Sequence, residues 1–196
     1  MAFDRAYYHR YYFNPRTSVT SRKEMDARGV LIAAYTEYVG LPVRRILDAG
    51  CGIGALRRPL LRRLTRASYQ GLEFSEYLCQ RYGWTQGSVE DFRAAAPFDL
   101  VICYDVVQYL DAAAATRALE NLARLCRGVL YFSALTRADW HENCDQRRTD
   151  PDVYRRTGTW YRKRLRRRFV EVGAGLWLRR GAPLATWELE TVGKSP

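Results

Sequence analysis

Between residues 46 and 54 the chain reads Ile46-Leu47-Asp48-Ala49-Gly50-Cys51-Gly52-Ile53-Gly54. An apolar run of strand character enters a turn with three glycines, and a helical pattern follows. Glycine tolerates positive φ and lets a ligand approach the backbone closely, so the turn reads as a binding loop. Its spacing is GxGxG, not the GxGxxG that sets a pyrophosphate against a helix N-terminus. Asp48 stands two positions before the first glycine, where an anion would repel a phosphate and suit a ligand carrying positive charge. A second carboxylate, Glu73, ends the next strand pattern, 19 positions past Gly54. Doubly wound folds place there the acid that accepts hydrogen bonds from ribose hydroxyls. Together the two acids and the glycine turn point to a cationic nucleoside.

The elements that must position these residues alternate along the chain. Arg45–Leu47, Ser68–Phe74, the weaker Trp84–Val89, Phe98–Tyr104 and Val129–Ala134 read as strands; the fourth, FDLVICY, has the continuous apolar run of a strand buried on both faces. Helical spacing of Leu56, Leu60, Leu61 and Leu64 follows the glycine turn, Ser75 caps a short helix, and Ala115, Leu119, Leu122 and Cys126 form a stripe after Asp111. Before the first strand, Ser21-Arg22-Lys23-Glu24 is a capping box opening a helix that Gly40 and Pro42 end. After Thr136 the rhythm changes: residues 137–158 are polar and turn-rich, and Thr159 caps a helix through Arg168. Val170 to Leu178 and Ala185 to Leu189 then predict two strands joined at Gly181-Ala182-Pro183. The expected fold class is α/β: a doubly wound, Rossmann-like sheet of seven strands with a C-terminal antiparallel hairpin.

Composition bounds the rest. The chain has 196 residues, 47% of them hydrophobic, which fits one globular domain. Five separated cysteines with no CxxC pair argue against a disulfide framework or a zinc site and fit reduced thiols in the cytoplasm. No apolar run reaches membrane-span length, and the first residues, MAFDRAYYHRYYF, lack the apolar region of an export signal, so a cytoplasmic protein is expected. Lys and Arg number 32 against 21 Asp and Glu, a net charge of +11, which invites the thought of nucleic acid without naming a partner.

The segment from 44 to 134 resembles the class I S-adenosylmethionine-dependent methyltransferases, whose DxGCGxG loop is matched by Asp48 to Gly54. The resemblance implies a methyltransferase domain with S-adenosyl-L-methionine as cofactor and S-adenosyl-L-homocysteine as product. It implies that Asp48, Gly50, Cys51, Gly52 and Gly54 wrap the methionyl part and ribose, and that Glu73, with Phe74 beside it, holds the ribose hydroxyls. Gly87-Ser88-Val89-Glu90-Asp91 resembles the adenine-contacting segment, with Ser88 where Asp is common, so adenine falls to Ser88 and the Val89 backbone. The fourth-strand motif puts Tyr104, Asp105, Val106 and Tyr109 at the mouth shared with the acceptor. No metal is implied.

Methyl transfer is an in-line displacement at an activated carbon, so the protein mainly positions the reactants. A general base is needed only if the acceptor keeps its proton until attack. His141 and Tyr109 are the candidates for catalysis, and Tyr8, Tyr11, Tyr12, Tyr109 and His141 those for acceptor contacts. The division expected is a Tyr-rich lid (1–20), a cofactor core (21–134), an acceptor-side insertion (135–165) and a closing hairpin (168–191). The fourth strand lacks the (Asp/Asn)-Pro-Pro-(Tyr/Phe) of amide and exocyclic nitrogen methylation, and no Pro-Cys pair exists, which leaves a small-molecule acceptor. Two alternatives stay open. An RNA methyltransferase could use Arg155, Arg156, Arg162, Lys163, Arg164, Arg166, Arg167 and Arg168, interleaved with Tyr154, Trp160 and Tyr161; a solvated helix face explains the same residues. A non-catalytic module could bind the cofactor without turnover.

Overall fold

The structure, a computed structural model, describes residues 3–184 and 186–192. A short helix α1 (Arg5–Tyr8) runs into a π-helical turn over His9–Phe13. Helix α2 (Arg22–Tyr38) begins at the expected capping box: the Ser21 hydroxyl accepts from the Glu24 N–H at 3.2 Å, and the Glu24 carboxylate accepts from the Ser21 N–H at 2.6 Å.

Seven strands follow: β1 (Arg45–Ala49), β2 (Ser68–Glu73), β3 (Thr85–Gln86), β4 (Phe98–Tyr104), β5 (Cys126–Ser133), β6 (Phe169–Gly173) and β7 (Leu176–Arg179). They form one sheet in the order β3-β2-β1-β4-β5-β7-β6. β1 to β5 run parallel, and β7 lies antiparallel between β5 and β6. Helices α3 (Arg57–Arg63), α4 (Glu76–Tyr82), α5 (Ala112–Leu125), α6 (Arg137–Glu142) and α7 (Gly158–Leu165) fill the connections. Successive strand residues point to opposite faces. Ile46, Leu100, Ile102 and Val129 therefore pack with Ile32 of α2 and Leu60 of α3. Leu47, Val101 and Leu130 pack on the other face with Leu119 and Leu122 of α5 and Leu165 of α7. Strand order reverses at the β1–β4 pair, the switch point where doubly wound sheets open a crevice.

The hairpin turns earlier than expected. Gly173, Ala174 and Gly175 all have positive φ (95°, 50° and 78°), and this left-handed run makes the reversal between β6 and β7. The stretch expected as the first strand alone, Val170 to Leu178, is thus itself the hairpin. Gly181-Ala182-Pro183 leads away from it, and Trp187 and Leu189, expected in a strand, lie exposed around a 3-10 turn at Glu188–Glu190; Ala185 lies outside the described residues. The Val192 N–H donates to the Glu171 carbonyl at 2.9 Å, covering part of β6, the sheet's outer strand. Within the stretch read as irregular, Thr136 caps α6 through a box with Asp139. Helix α7 starts at Gly158 under a Thr157 cap and ends at Leu165, short of Arg168.

Asp99 ties the lower edge of the sheet together. Its buried carboxylate accepts from the Arg44 and Arg45 N–H groups at 2.8 and 2.9 Å and from Arg127 at 2.7 Å, joining β1, β4 and β5. Removing it strands two backbone donors and a guanidinium. Asp99→Ala is expected to lower unfolding free energy by about 2–3 kcal/mol, read by urea denaturation; a loss below ~0.5 kcal/mol contradicts this role.

Candidate functional site

The glycine turn leaves β1 over the crevice. The Gly50 and Cys51 N–H groups both donate to the Leu72 carbonyl, at 2.7 and 3.1 Å, so the chain folds back against β2. Gly50 has φ +78°, and a Cβ there would lie 2.2 Å from Val106 Cγ2, so only glycine fits under the loop that follows β4.

Glu73, at the end of β2, fixes the turn from the other side. One carboxylate oxygen accepts from the Gly52 N–H at 2.8 Å. The other accepts from the Phe74 and Ser75 N–H groups, both at 2.9 Å, and from the Tyr8 hydroxyl at 3.5 Å. A buried carboxylate with this many donors stays oriented. The α1 segment is held over it, with the Ser75 hydroxyl donating to the Phe3 carbonyl and the Tyr7 and Tyr109 hydroxyls 2.9 Å apart.

Two cavities open here. The first, about 600 Å³, is lined by Gly50, Gly52, Glu73, Phe74, Ser88, Val89 and Tyr8, among others. The second, about 660 Å³, lies between the Tyr-rich segment and residues 143–150. Tyr7, Tyr12, Tyr104, Asp105 and Tyr109 line both. Asp105 holds a left-handed conformation at φ 56°, unusual for a residue other than glycine. Its N–H donates to the Ser133 carbonyl at 3.0 Å. Burial pushes its carboxyl up to about 6, against hydrogen bonds from Tyr104 and Ser133 and the charge of Arg28. Arg28 braces this corner from behind, 4.2 Å over the Tyr104 ring and donating to the Tyr131 hydroxyl at 2.9 Å.

Most of the residues singled out from sequence thus converge on the first cavity: Tyr8, Tyr12, Gly50, Gly52, Glu73, Phe74, Ser88, Val89, Tyr104, Asp105, Val106 and Tyr109. Tyr11 lines only the second. Four lie elsewhere. Asp48 is buried outside both linings, where the Tyr69 hydroxyl donates to its carboxylate at 2.6 Å. Cys51 is buried against Gly71. Gly54 lies under the Trp84 ring, whose indole N–H donates to the Gly52 carbonyl at 3.0 Å. His141 is exposed on α6 and lines neither cavity, since the α6 cap turns its helix outward and buries Trp140 instead.

Other lining residues escaped the sequence reading. Gln108 is buried, accepts from the Leu135 N–H at 2.7 Å, and lines the second cavity. Asp150 and Tyr154 come from the stretch read as irregular, with the Tyr154 N–H donating to the Gln108 carbonyl at 2.8 Å. Asn121, buried on α5, donates to the Val89 and Phe92 carbonyls, both at 3.0 Å, and so shapes the Ser88–Val89 rim from behind. A buried Asn in an otherwise apolar helical stripe was the available signal.

Residues 47–128, which carry the glycine turn, Glu73 and the β4 loop, match the family model described as a methyltransferase domain. The fold agrees with solved class I enzymes. The match covers 82 of the 196 residues, and around it the chain shares the fold of solved S-adenosylmethionine-dependent methyltransferases. The N-methyltransferase NodS from Bradyrhizobium japonicum WM9, solved with S-adenosyl-L-homocysteine, is 17% identical, with a TM-score of 0.61 over 81% of this chain and 87% of that one. The magnesium protoporphyrin IX methyltransferase ChlM from Synechocystis PCC 6803, solved with S-adenosylmethionine, is 20% identical, with a TM-score of 0.57 over 81% and 79%. A methyltransferase from Clostridium acetobutylicum ATCC 824 is 14% identical, with a TM-score of 0.52 over 70% of this chain and 58% of that one. Among curated proteins none matches. No helix among the described residues is long and apolar enough to cross a membrane.

Beneath the glycine turn, the buried Asp48 makes stability depend on pH. Burial pushes its carboxyl from 3.8 up to about 7, opposed by the Tyr69 hydrogen bond and aided by the charge of Glu73. The folded state therefore holds this proton more tightly than the unfolded chain, and stability is lost as pH rises from about 4 to about 7. Asp48→Asn keeps an acceptor for Tyr69 and removes the titration. The variant is expected to gain stability relative to the parent on going from pH 4 to pH 8, with about 1.4 kcal/mol for each tenfold change in proton affinity. Urea denaturation across that range reads the slope; parallel slopes refute the assignment.

Proposed function

We propose that this methyltransferase moves a methyl group from S-adenosylmethionine, held in the first cavity, to a small-molecule acceptor in the second. The observation that carries the reading is the pair of cavities meeting at one wall of four tyrosines and Asp105. The first fits the cofactor in its donor set. Gly52 has open space beyond its Cα, allowing a ligand against the backbone, and the Glu73 carboxylate stands at the same edge to accept from ribose hydroxyls. Ser88 and the Val89 backbone form the rim on the adenine side, and Tyr104, Asp105 and Val106 face the methionyl end. Asp48 supports the loop from beneath rather than touching the ligand.

When bound, the cofactor supplies a methyl carbon activated by its sulfonium; the acceptor's electron pair forms the new bond as the sulfur keeps that of the old one. The chain's own residues hold and orient. The tyrosine wall brings the two reactants to one boundary and keeps bulk water from it, which is how a positioning enzyme lowers a barrier. Residues 3–13 lie across both cavities and act as the lid, with Tyr8 on Glu73 and Tyr7 on Tyr109. Tyr109 contacts the acceptor; His141 has no role in this reading.

The RNA alternative loses its best feature. Arg162 and Arg166 both pair with Glu171 at 2.8 Å. Arg164 and Arg156 stack on Trp160 at 3.5 and 4.8 Å, and Arg155 covers Trp140 at 3.7 Å. The aromatic rings that bases would need are already capped by guanidinium groups.

Titration calorimetry with S-adenosylmethionine and S-adenosyl-L-homocysteine tests the reading, with NADH as control. Both nucleosides are expected to bind and NADH not. Glu73→Ala is expected to weaken homocysteine-form binding by about 1.5–3 kcal/mol, the worth of hydrogen bonds to a charged group. Equal affinity in a folded variant sinks the ribose assignment. Binding that falls steeply with salt on added RNA would favour the alternative.

A further inference from the structure

The second cavity has a charge opposite to that of the protein around it. The chain carries a net charge of +11, yet four carboxylates line this cavity, Glu24, Asp105, Asp145 and Asp150, against a single cation among the described residues, Arg148. That cation is already engaged: it sits 3.6 Å from Asp145, with both side chains about half exposed.

Asp150 is different from the rest. It is 6% exposed, one oxygen accepts from the Asp152 N–H at 3.0 Å, and the other, equally buried, has no hydrogen-bond partner among the described residues. Its charge is felt at the hydroxyls of Tyr7, Tyr11 and Tyr109, which it helps to hold in the neutral form after burial has done the greater part. These are rings of the same cavity. A buried carboxylate oxygen without a donor is costly, and native proteins rarely leave one so without a ligand, ion or ordered water to complete it. Five tyrosines line the same cavity, and the face of an aromatic ring attracts a cation and repels an anion.

Resting on the methyltransferase reading above, we infer that the acceptor is an alkylamine, taken up as its ammonium by Asp150 within the tyrosine cage and presented at the Asp105 boundary with the first cavity. An ammonium supplies the donor that the free Asp150 oxygen lacks, and its charge is balanced by the surplus of cavity carboxylates. A carboxylate or phosphate acceptor would meet those same acids and be repelled; a neutral alcohol would satisfy one hydrogen bond and leave the charge uncompensated. An ammonium has no free electron pair, so it first gives one proton to the open Asp150 oxygen; the pair left on the neutral amine forms the bond to the methyl carbon as the sulfur keeps the pair of the old bond, and Asp150 releases its proton to solvent. The methylated product is again an ammonium, so the cage suits both ends of the reaction.

The test uses three probes of one shape on the whole chain: benzylamine, benzyl alcohol and benzoate. Each is titrated by calorimetry without cofactor and again with S-adenosyl-L-homocysteine bound. Benzylamine is expected to bind about tenfold or more tighter than the alcohol, as a hydrogen bond to a charged group predicts, and benzoate weaker than either. In Asp150→Asn the preference for the amine should fall to about twofold, with homocysteine-form binding kept. Absence of benzylamine binding, equal binding of the alcohol, or an unchanged preference in a folded Asp150→Asn overturns the inference. Should that variant fail to fold, the comparison of the three probes on the parent protein still decides. Failure of S-adenosyl-L-homocysteine to bind the parent protein refutes the methyltransferase reading itself; binding of it without amine preference refutes the acceptor class alone.

Discussion

The carboxylate of Glu73 is the joint on which the crevice is built. It collects the Gly52 N–H from the β1 turn, the Phe74 and Ser75 N–H groups from the β2 turn and the Tyr8 hydroxyl from the N-terminal segment. Three pieces of chain that share no secondary structure are thereby held to one pair of oxygen atoms. The arrangement is possible because β1 and β2 are parallel neighbours, so both end on the same side of the sheet. Once that joint is made, the remaining loops have little freedom: Val106 must pass over Gly50, Trp84 must cover Gly54, and the helix carrying Tyr7 and Tyr8 must lie across the opening. The same oxygens are the acceptors assigned to ribose. In the proposed reading the group that orders the loops is then also the one that meets the ligand, which lowers the reorganisation required on binding.

The parallel core was legible in sequence because its signals are local. A strand buried on both faces has to be a continuous apolar run, and FDLVICY is one; a helix start needs a side-chain acceptor, and Ser21, Ser75 and Asp111 each supply it. The glycine turn and Glu73 were legible for a related reason: the spacing between them is set by one helix and one strand. Asp48 shows where this ends. It stands in β1, two positions before the first glycine, and its partner Tyr69 sits on β2, two residues before the Gly71 that lies opposite it. Spacing along the chain carries no information about a hydroxyl arriving from a neighbouring strand, so the Tyr69 contact that buries Asp48 left no trace in sequence.

The acceptor side was less legible because it is assembled from distant segments. Tyr7 meets Tyr109 across 102 positions, and Tyr154 docks on the carbonyl of Gln108. Neither contact leaves a periodic trace. His141 drew notice because histidine is rare in this chain, and rarity is not geometry: the cap that opens α6 sends it to solvent. The basic run was ambiguous for the opposite reason. Eight cations in 14 residues look like a single feature, but the fold engages five of them with Glu171, Trp140, Trp160 and backbone carbonyls. Much of the surplus positive charge is therefore packing, with flat guanidinium groups lying on aromatic rings.

The two ends of the sheet also bear on how the molecule behaves in company. An unpaired strand is a template for another chain, and long flat edges lead to association. Here one border is the two-residue β3, exposed and polar at Thr85 and Gln86. The other, β6, is bent by the irregular register between Glu171 and Gly173, and the N–H of Val192 occupies one of its carbonyls. Neither border offers the several consecutive free backbone groups that strand addition requires. Among the described residues the margins of the sheet are thus short, bent or covered, the features that disfavour strand addition.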